Sequence, residues 1–137
     1  MYETFEHTAD LGLRVVAPDL NTLFEDAGRG LFSMLVEDLS SVRLAHTLDL
    51  AVEGADYAYL LFDWLNELLY QFETGRWLLA DFSVQVTDAG LTAQARGERW
   101  DTSRHDLDHE VKAITYHGLR VTPTPDGAWL AEVIVDI

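Results

Sequence analysis

Cysteine is absent from this chain of 137 residues, which excludes disulfides, iron–sulfur clusters and thiolate zinc sites without identifying a redox compartment. Long apolar runs are also missing. Nothing approaches the roughly 18 uninterrupted apolar residues of a membrane-spanning helix. The opening, Met1-Tyr2-Glu3-Thr4-Phe5-Glu6-His7, lacks the basic and apolar regions of a secretory signal, so the cytoplasm is the expected location, with no membrane contact. The chain has no phosphate-binding glycine loop, no dinucleotide fingerprint and no Ser-His-Asp grouping that spacing alone supports.

Positive charge is scarce. Nine Lys and Arg stand against 24 Asp and Glu, for a formal net charge of −15, and Lys112 is the only lysine. Such a surface repels phosphate backbones, so no direct nucleic-acid binding is expected and any role in RNA metabolism must run through a partner. The acidity has two readings: a solvated surface that keeps the chain soluble, or a face suited to a basic partner or a hard cation.

What is present is an ample apolar complement, 48% of residues, enough for one sizeable core in a single domain over residues 1–137. Leu11, Leu13, Val15 and Ala17 alternate with Gly12, Arg14 and Val16, which predicts a half-buried strand ended by Pro18-Asp19. From Leu20 the apolar spacing becomes helical through Leu23, Phe24, Ala27, Leu31 and Leu35, with Asp19 as N-cap. Gly28 and Gly30 weaken that helix and point to close packing against another element. Thr47 to Glu53 reads as a strand. After Gly54, Asp56 caps a second helix whose stripe of Tyr57, Leu60, Leu61, Trp64, Leu65, Leu68, Leu69 and Phe72 is the central packing surface, stopped near Gly75. Phe82, Val84 and Val86 lead through Asp88-Ala89-Gly90 into Leu91, Ala93 and Ala95, a hairpin. A second hairpin joins a strand around Ala113 to Val121, through Pro123, Pro125, Asp126 and Gly127, to a last strand carrying Trp129, Ala131, Val133, Val135 and Ile137 on one face. The predicted class is α+β, a two-layer sandwich of a largely antiparallel or mixed sheet with two main helices on one face.

The final residues, Val133-Ile134-Val135-Asp136-Ile137, continue a strand pattern to the last position. Ile137 shares the apolar parity, whereas Asp136 points to the other face beside the α-carboxylate. Asp10, heading the first core strand, has the same non-core parity. If those two strands are neighbours, hard oxygen donors converge there and favour calcium or magnesium; otherwise Asp10 is a turn or cap residue and Asp136 an exposed carboxylate. His105 and His109 lie four apart, a spacing that would put two imidazoles on one helix face and suggests zinc, although a solvated acidic loop is the plainer reading. His117 reads as a buried or half-buried histidine, and Lys112 as a surface ammonium or a counter-charge to nearby carboxylates.

Four blocks in order, His7-Thr8-Ala9-Asp10, Leu60-Leu61-Phe62-Asp63-Trp64-Leu65-Asn66-Glu67, His109-Glu110-Val111-Lys112-Ala113-Ile114-Thr115-Tyr116-His117 and Val135-Asp136-Ile137, give the chain an end-to-end resemblance to the archease family. The resemblance implies a non-catalytic accessory protein that promotes guanylylation and multiple turnover of an RtcB-type RNA ligase in tRNA splicing and RNA repair, and broadens the nucleotide that the ligase accepts. It also implies a metal, calcium or another hard divalent cation such as magnesium or manganese, held by the residues matching Asp10, Asp136 and Ile137. His7, Lys112 and His117 are candidates for partner-facing or site-adjacent roles. The chain departs from the family pattern in a compact region between Trp100 and Asp108. Two other classes fit the residues: a chaperone-like interaction module, and a small metal-dependent hydrolase built on His105 and His109. The charge argument generates a direct test. Filter binding at low salt should show no retention of tRNA by the isolated protein at micromolar concentrations, and retention there would overturn the inference from charge.

Overall fold

The computed structural model describes residues 1–7 and 10–137, the side chain of His7 excepted. Strand β1 (Tyr2–His7) runs antiparallel to β2 (Asp10–Ala17), the alternating segment expected from the sequence. Pro18 follows, and helix α1 (Leu20–Leu35) starts where the Asp19 side chain accepts the Thr22 amide at 2.7 Å, satisfying one of the orphan donors of a helix start. Strand β3 (His46–Glu53) precedes helix α2 (Tyr57–Gly75), whose cap Asp56 accepts from the amides of Ala58 and Tyr59. Helix α2 stops at Arg76, which takes a left-handed conformation (φ 60°) and donates its amide to the end of the helix. Strands β4 (Trp77–Thr87) and β5 (Gly90–Arg99) form the expected hairpin, and β6 (Ala113–Ile114), β7 (Arg120–Pro123) and β8 (Trp129–Asp136) complete the chain.

The fold is α+β, and all its strand pairs among the described residues are antiparallel. The strands divide into two sheets instead of forming one. The first has the order β1-β2-β8-β6, with β7 also pairing β8; the second has the order β3-β5-β4. The stretch read as one strand from Ala113 to Val121 is two short strands separated by a turn. There the Thr115 amide and hydroxyl both donate to the Ile134 carbonyl, at 3.0 and 2.9 Å, and the Leu119 amide donates to Tyr116. Strand β1 has too short an alternation to be read from sequence. It is held as the outer neighbour of β2.

Between the sheets and the helices lies one apolar cluster. Strands β2 and β8 give it Leu13, Val15, Val133 and Val135, while α1 gives Leu23, Phe24, Leu31 and Phe32 and α2 gives Leu60, Leu61, Trp64 and Leu68. Trp64 is completely buried, and its indole N–H donates to the Phe24 carbonyl at 3.0 Å. Its ring meets Phe82 of β4 edge-on at 6.1 Å, and Phe82 also meets Phe32 at 6.2 Å, so both helices and the second sheet meet at one aromatic junction. The two helix glycines behave as their sequence context predicts. A Cβ on Gly28 would stand 3.1 Å from the Phe82 ring, and one on Gly30 would collide with Leu13.

Gly97 sets the closest approach in the second sheet. A Cβ there would overlap the carbonyl oxygen of Leu78, beside the bulge between Leu79 and Asp81. Backbone cannot yield as a side chain can, so Gly97→Ala should destabilise the fold by roughly 3 kcal/mol through overpacking. Urea unfolding would measure this, and an unchanged midpoint would show that the sheet does not need the contact.

Candidate functional site

The site is positioned by the pairing of β2 with β8. Leu13 opposes Val133 and Leu11 opposes Val135 on the core face, and the same register places Arg14 opposite Glu132 and Asp10 opposite Asp136 on the other face. Side chains of directly opposed residues have Cβ atoms about 4.5 to 5.5 Å apart. One of these outer pairs carries opposite charges and the other like charges. Arg14 donates to Glu132 at 3.2 Å, and Arg120 of β7 donates to the same carboxylate from its other side. Hydrogen bonding to Arg120, against a smaller opposing effect of burial and with help from Arg14, holds the Glu132 carboxyl below its ordinary range. Asp10 and Asp136 are both half-buried, and two carboxylates in direct opposition are an unfavourable pair unless positive charge offsets them.

Between the two pairs the outer face is roofed. Phe5 of β1 lies across Gly12, where it occupies the space that a side chain would take, and the Arg14 guanidinium sits 4.7 Å from the centre of the Phe5 ring. On the far side of Asp136, Ala113 of β6 is its register partner, and the Lys112 amide donates to the Asp136 carbonyl at 2.8 Å. The condition set by the sequence, that the strands of Asp10 and Asp136 be neighbours, is met, and Ile137 follows directly. Among the described residues no group of three or more His, Asp or Glu side chains is arranged to hold a metal. A cation at this edge would therefore take the two aspartates and need main-chain oxygen, such as that of Ile137, to extend the set. The donors are all hard oxygens, which fits calcium or magnesium and not a soft metal.

The remaining sequence candidates lie as follows. Lys112 is exposed and lines a cavity of about 520 Å³ with Leu35, Phe72, Glu73 and residues 107–111. His117 is exposed, not buried as its parity suggested. The strand ends at Ile114, so alternation no longer governs the turn that carries it. The side chain of His7 lies outside the described residues, as do Thr8 and Ala9.

The His105 and His109 pairing on a helix does not form. Residues 103–110 are not helical, and the amides of Asp108 and His109 donate to the carbonyls of Leu35 and Met34, closing the end of α1. His105 is buried at 3% exposure, its Nδ1 accepts the Asp101 amide at 3.0 Å, and its Nε2 lies 3.0 Å from a Glu98 carboxylate oxygen. With Nδ1 accepting, the Nε2 hydrogen of the neutral ring is directed at Glu98. Burial pushes Glu98 up, but hydrogen bonds from the Arg43 amide, Arg104 and His105 outweigh it and hold the carboxyl below its ordinary range. His105 therefore anchors a loop, and neither ring nitrogen is available to a metal; His109 is an exposed neighbour of Asp108.

A model of the Archease protein family (MTH1598/TM1083) matches residues 2–137. The chain belongs to the archease family. Among relatives named "Protein archease", that of Methanopyrus kandleri is 39% identical, covering 99% of both chains, and that of Pyrococcus furiosus is 36% identical, covering 99% of this chain and 98% of its own. The solution structure of Methanobacterium thermoautotrophicum protein 1598 superposes with a TM-score of 0.82 at 33% identity, over 99% of this chain and 98% of that one. The archease fold thus accounts for the α+β class. No helix among the described residues is long and apolar enough to cross a membrane.

Sequence reasoning did not single out the aromatic corner of Phe62, Tyr59 and Tyr116, where Phe62 stacks on Tyr116 with ring centres 4.0 Å apart. The available signal was Tyr59, an aromatic residue off the apolar stripe of α2. For the two histidines the structure gives opposite expectations. His105→Ala should destabilise the protein by about 1 to 3 kcal/mol, by stripping partners from Glu98 and the Asp101 amide, whereas His109→Ala should change stability by less than about 0.5 kcal/mol. Urea unfolding of both variants checks this, and equal, negligible effects would refute the anchoring role.

Proposed function

We propose that the protein is a non-catalytic activator of an RtcB-type RNA ligase, promoting ligase guanylylation and multiple turnover, and that Asp10, Asp136 and a main-chain oxygen of Ile137 form a hard-cation site that its action requires. Membership of the archease family along the whole chain supports the activator role. The observation that carries the cation site is the direct opposition of Asp10 and Asp136 across the β2–β8 ladder. Two opposed carboxylates at the ends of two inner strands form a preorganised oxygen pair that a divalent cation can bridge. The cation supplies positive charge at the edge; the chain holds it on a ladder whose register the core fixes. The negative charge of the molecule leaves RNA to the ligase, and calcium is the favoured occupant, with magnesium or manganese as the other hard candidates.

The reading has two separable readouts. Calorimetry should show that Asp10→Asn and Asp136→Asn each weaken calcium binding by about tenfold or more. In the presence of a chelator Asp136→Asn should melt no lower than wild type, because the change removes one of two like charges. Adding calcium should raise the melting temperature of wild type alone, as expected of a ligand that binds only the folded state. Ligase-guanylate formation over several turnovers should drop with both variants. Full activation by both would refute the functional role of the site, and undiminished calcium binding would refute the site itself.

A further inference from the structure

The most solvent-exposed aromatic contact among the described residues lies where α2 meets the turn after β6. Tyr59 and Tyr116 are 59% and 60% exposed, yet their rings touch edge to face at 6.0 Å. Phe62 stacks on Tyr116 at 4.0 Å with the rings 14° from parallel. One face of Tyr116 is thus covered by Phe62, and the residue is still 60% exposed where Tyr59 meets it at a steep angle to form a corner. Asp56, Ala58, Tyr59, Tyr116 and Leu119 line a cavity of about 510 Å³ there. No basic residue lines it. Asp63, exposed, lies one helical turn beyond Tyr59 on α2.

An open aromatic face rimmed by carboxylates attracts a planar cation. The chain itself shows what fills such positions. Arg14 lies over Phe5, Arg76 lies over Trp100 at 3.9 Å and Arg99 lies over Trp77 at 5.0 Å. Among the described residues no arginine of this chain covers Tyr116. A second copy is a poor source, because two chains of charge −15 repel. Seven of its eight arginines are also engaged, Arg14, Arg29, Arg96, Arg104 and Arg120 with carboxylates and Arg76 and Arg99 with tryptophans, which leaves Arg43 alone exposed among the described residues without such a contact. We infer that the corner of Tyr59, Phe62 and Tyr116 is a docking site for an arginine side chain on a basic segment of a partner protein, the guanidinium stacking on Tyr116 and pairing with Asp56 or Asp63. The segment from Lys112 to Thr115 links this corner to Asp136, since the Lys112 amide and the Thr115 amide bond to the Asp136 and Ile134 carbonyls. This inference rests on the reading that the protein acts through a partner, and it names the chemistry by which the partner is gripped.

Two probes test it. The first is an acetylated, amidated peptide Gly-Arg-Gly-Arg-Gly-Arg-Gly and its lysine counterpart, titrated into the labelled full chain by NMR. The ring signals of Tyr59, Phe62 and Tyr116 should shift, the arginine peptide should bind at least about threefold tighter than the lysine peptide, and Tyr116→Ala should weaken it about tenfold while Tyr116→Phe retains it. Perturbation elsewhere only, or equal affinity for the two peptides, would overturn the inference. The second probe is the RtcB-type ligase of the same organism. Tyr116→Ala should weaken the complex about tenfold or more with calcium affinity unchanged, and Leu44→Ser, at an exposed apolar position before β3, should leave the complex intact. A ligase that binds wild type and Tyr116→Ala equally overturns the docking corner and leaves the activator reading standing. A ligase that does not bind wild type at all removes the activator reading, and the peptide titration then decides the corner by itself.

Discussion

The register between β2 and β8 is the constraint on which the rest of this structure depends. In an antiparallel pair a slip of one residue would turn every side chain to the other face, and here the core leaves no such freedom. Leu13, Val15, Val133 and Val135 are each no more than 1% exposed, so the burial of four apolar side chains fixes which residues meet on the opposite face. Arg14 against Glu132 and Asp10 against Asp136 follow from it without further choice. An apolar core thus sets the position of an anionic edge that it does not touch.

The same core joins the two sheets. Both helices pack against strands of both sheets and are what the sheets share. Trp64 of α2, hydrogen bonded to α1 and edge-on to Phe82 of β4, connects three elements through one side chain. The placement of Asp10 against Asp136 is therefore supported by a junction on the other side of the first sheet.

The surface carries parts with different chemistry: the like-charged pair of Asp10 and Asp136, the mixed-charge cluster around Glu132, and, against α2, the aromatic corner at Tyr116. The segment 112–116 runs along two of them, which gives physical content to a sequence block that carried no recognisable catalytic grouping. Its polar backbone ties to β8, and its aromatic side chain is left outside.

Much of this was written in the sequence. Periodicity located α1, α2 and most strands, and the capping aspartates Asp19 and Asp56 marked both helix starts, because these signals come from interactions within a few residues. Parity alone put Asp10 and Asp136 on the non-core face. Strand adjacency was not legible, since β2 and β8 are separated by more than a hundred positions and any strand of suitable pattern could have lain between them. Nor was the division into two sheets, the meeting of Tyr59 with Tyr116 across more than fifty positions, or the burial of His105 against Glu98, which a loop of irregular backbone brings together. Local propensity and alternation determined the elements and the face of each residue; only tertiary packing decided the neighbours, because the burial that selects one pairing over another is a property of the whole core.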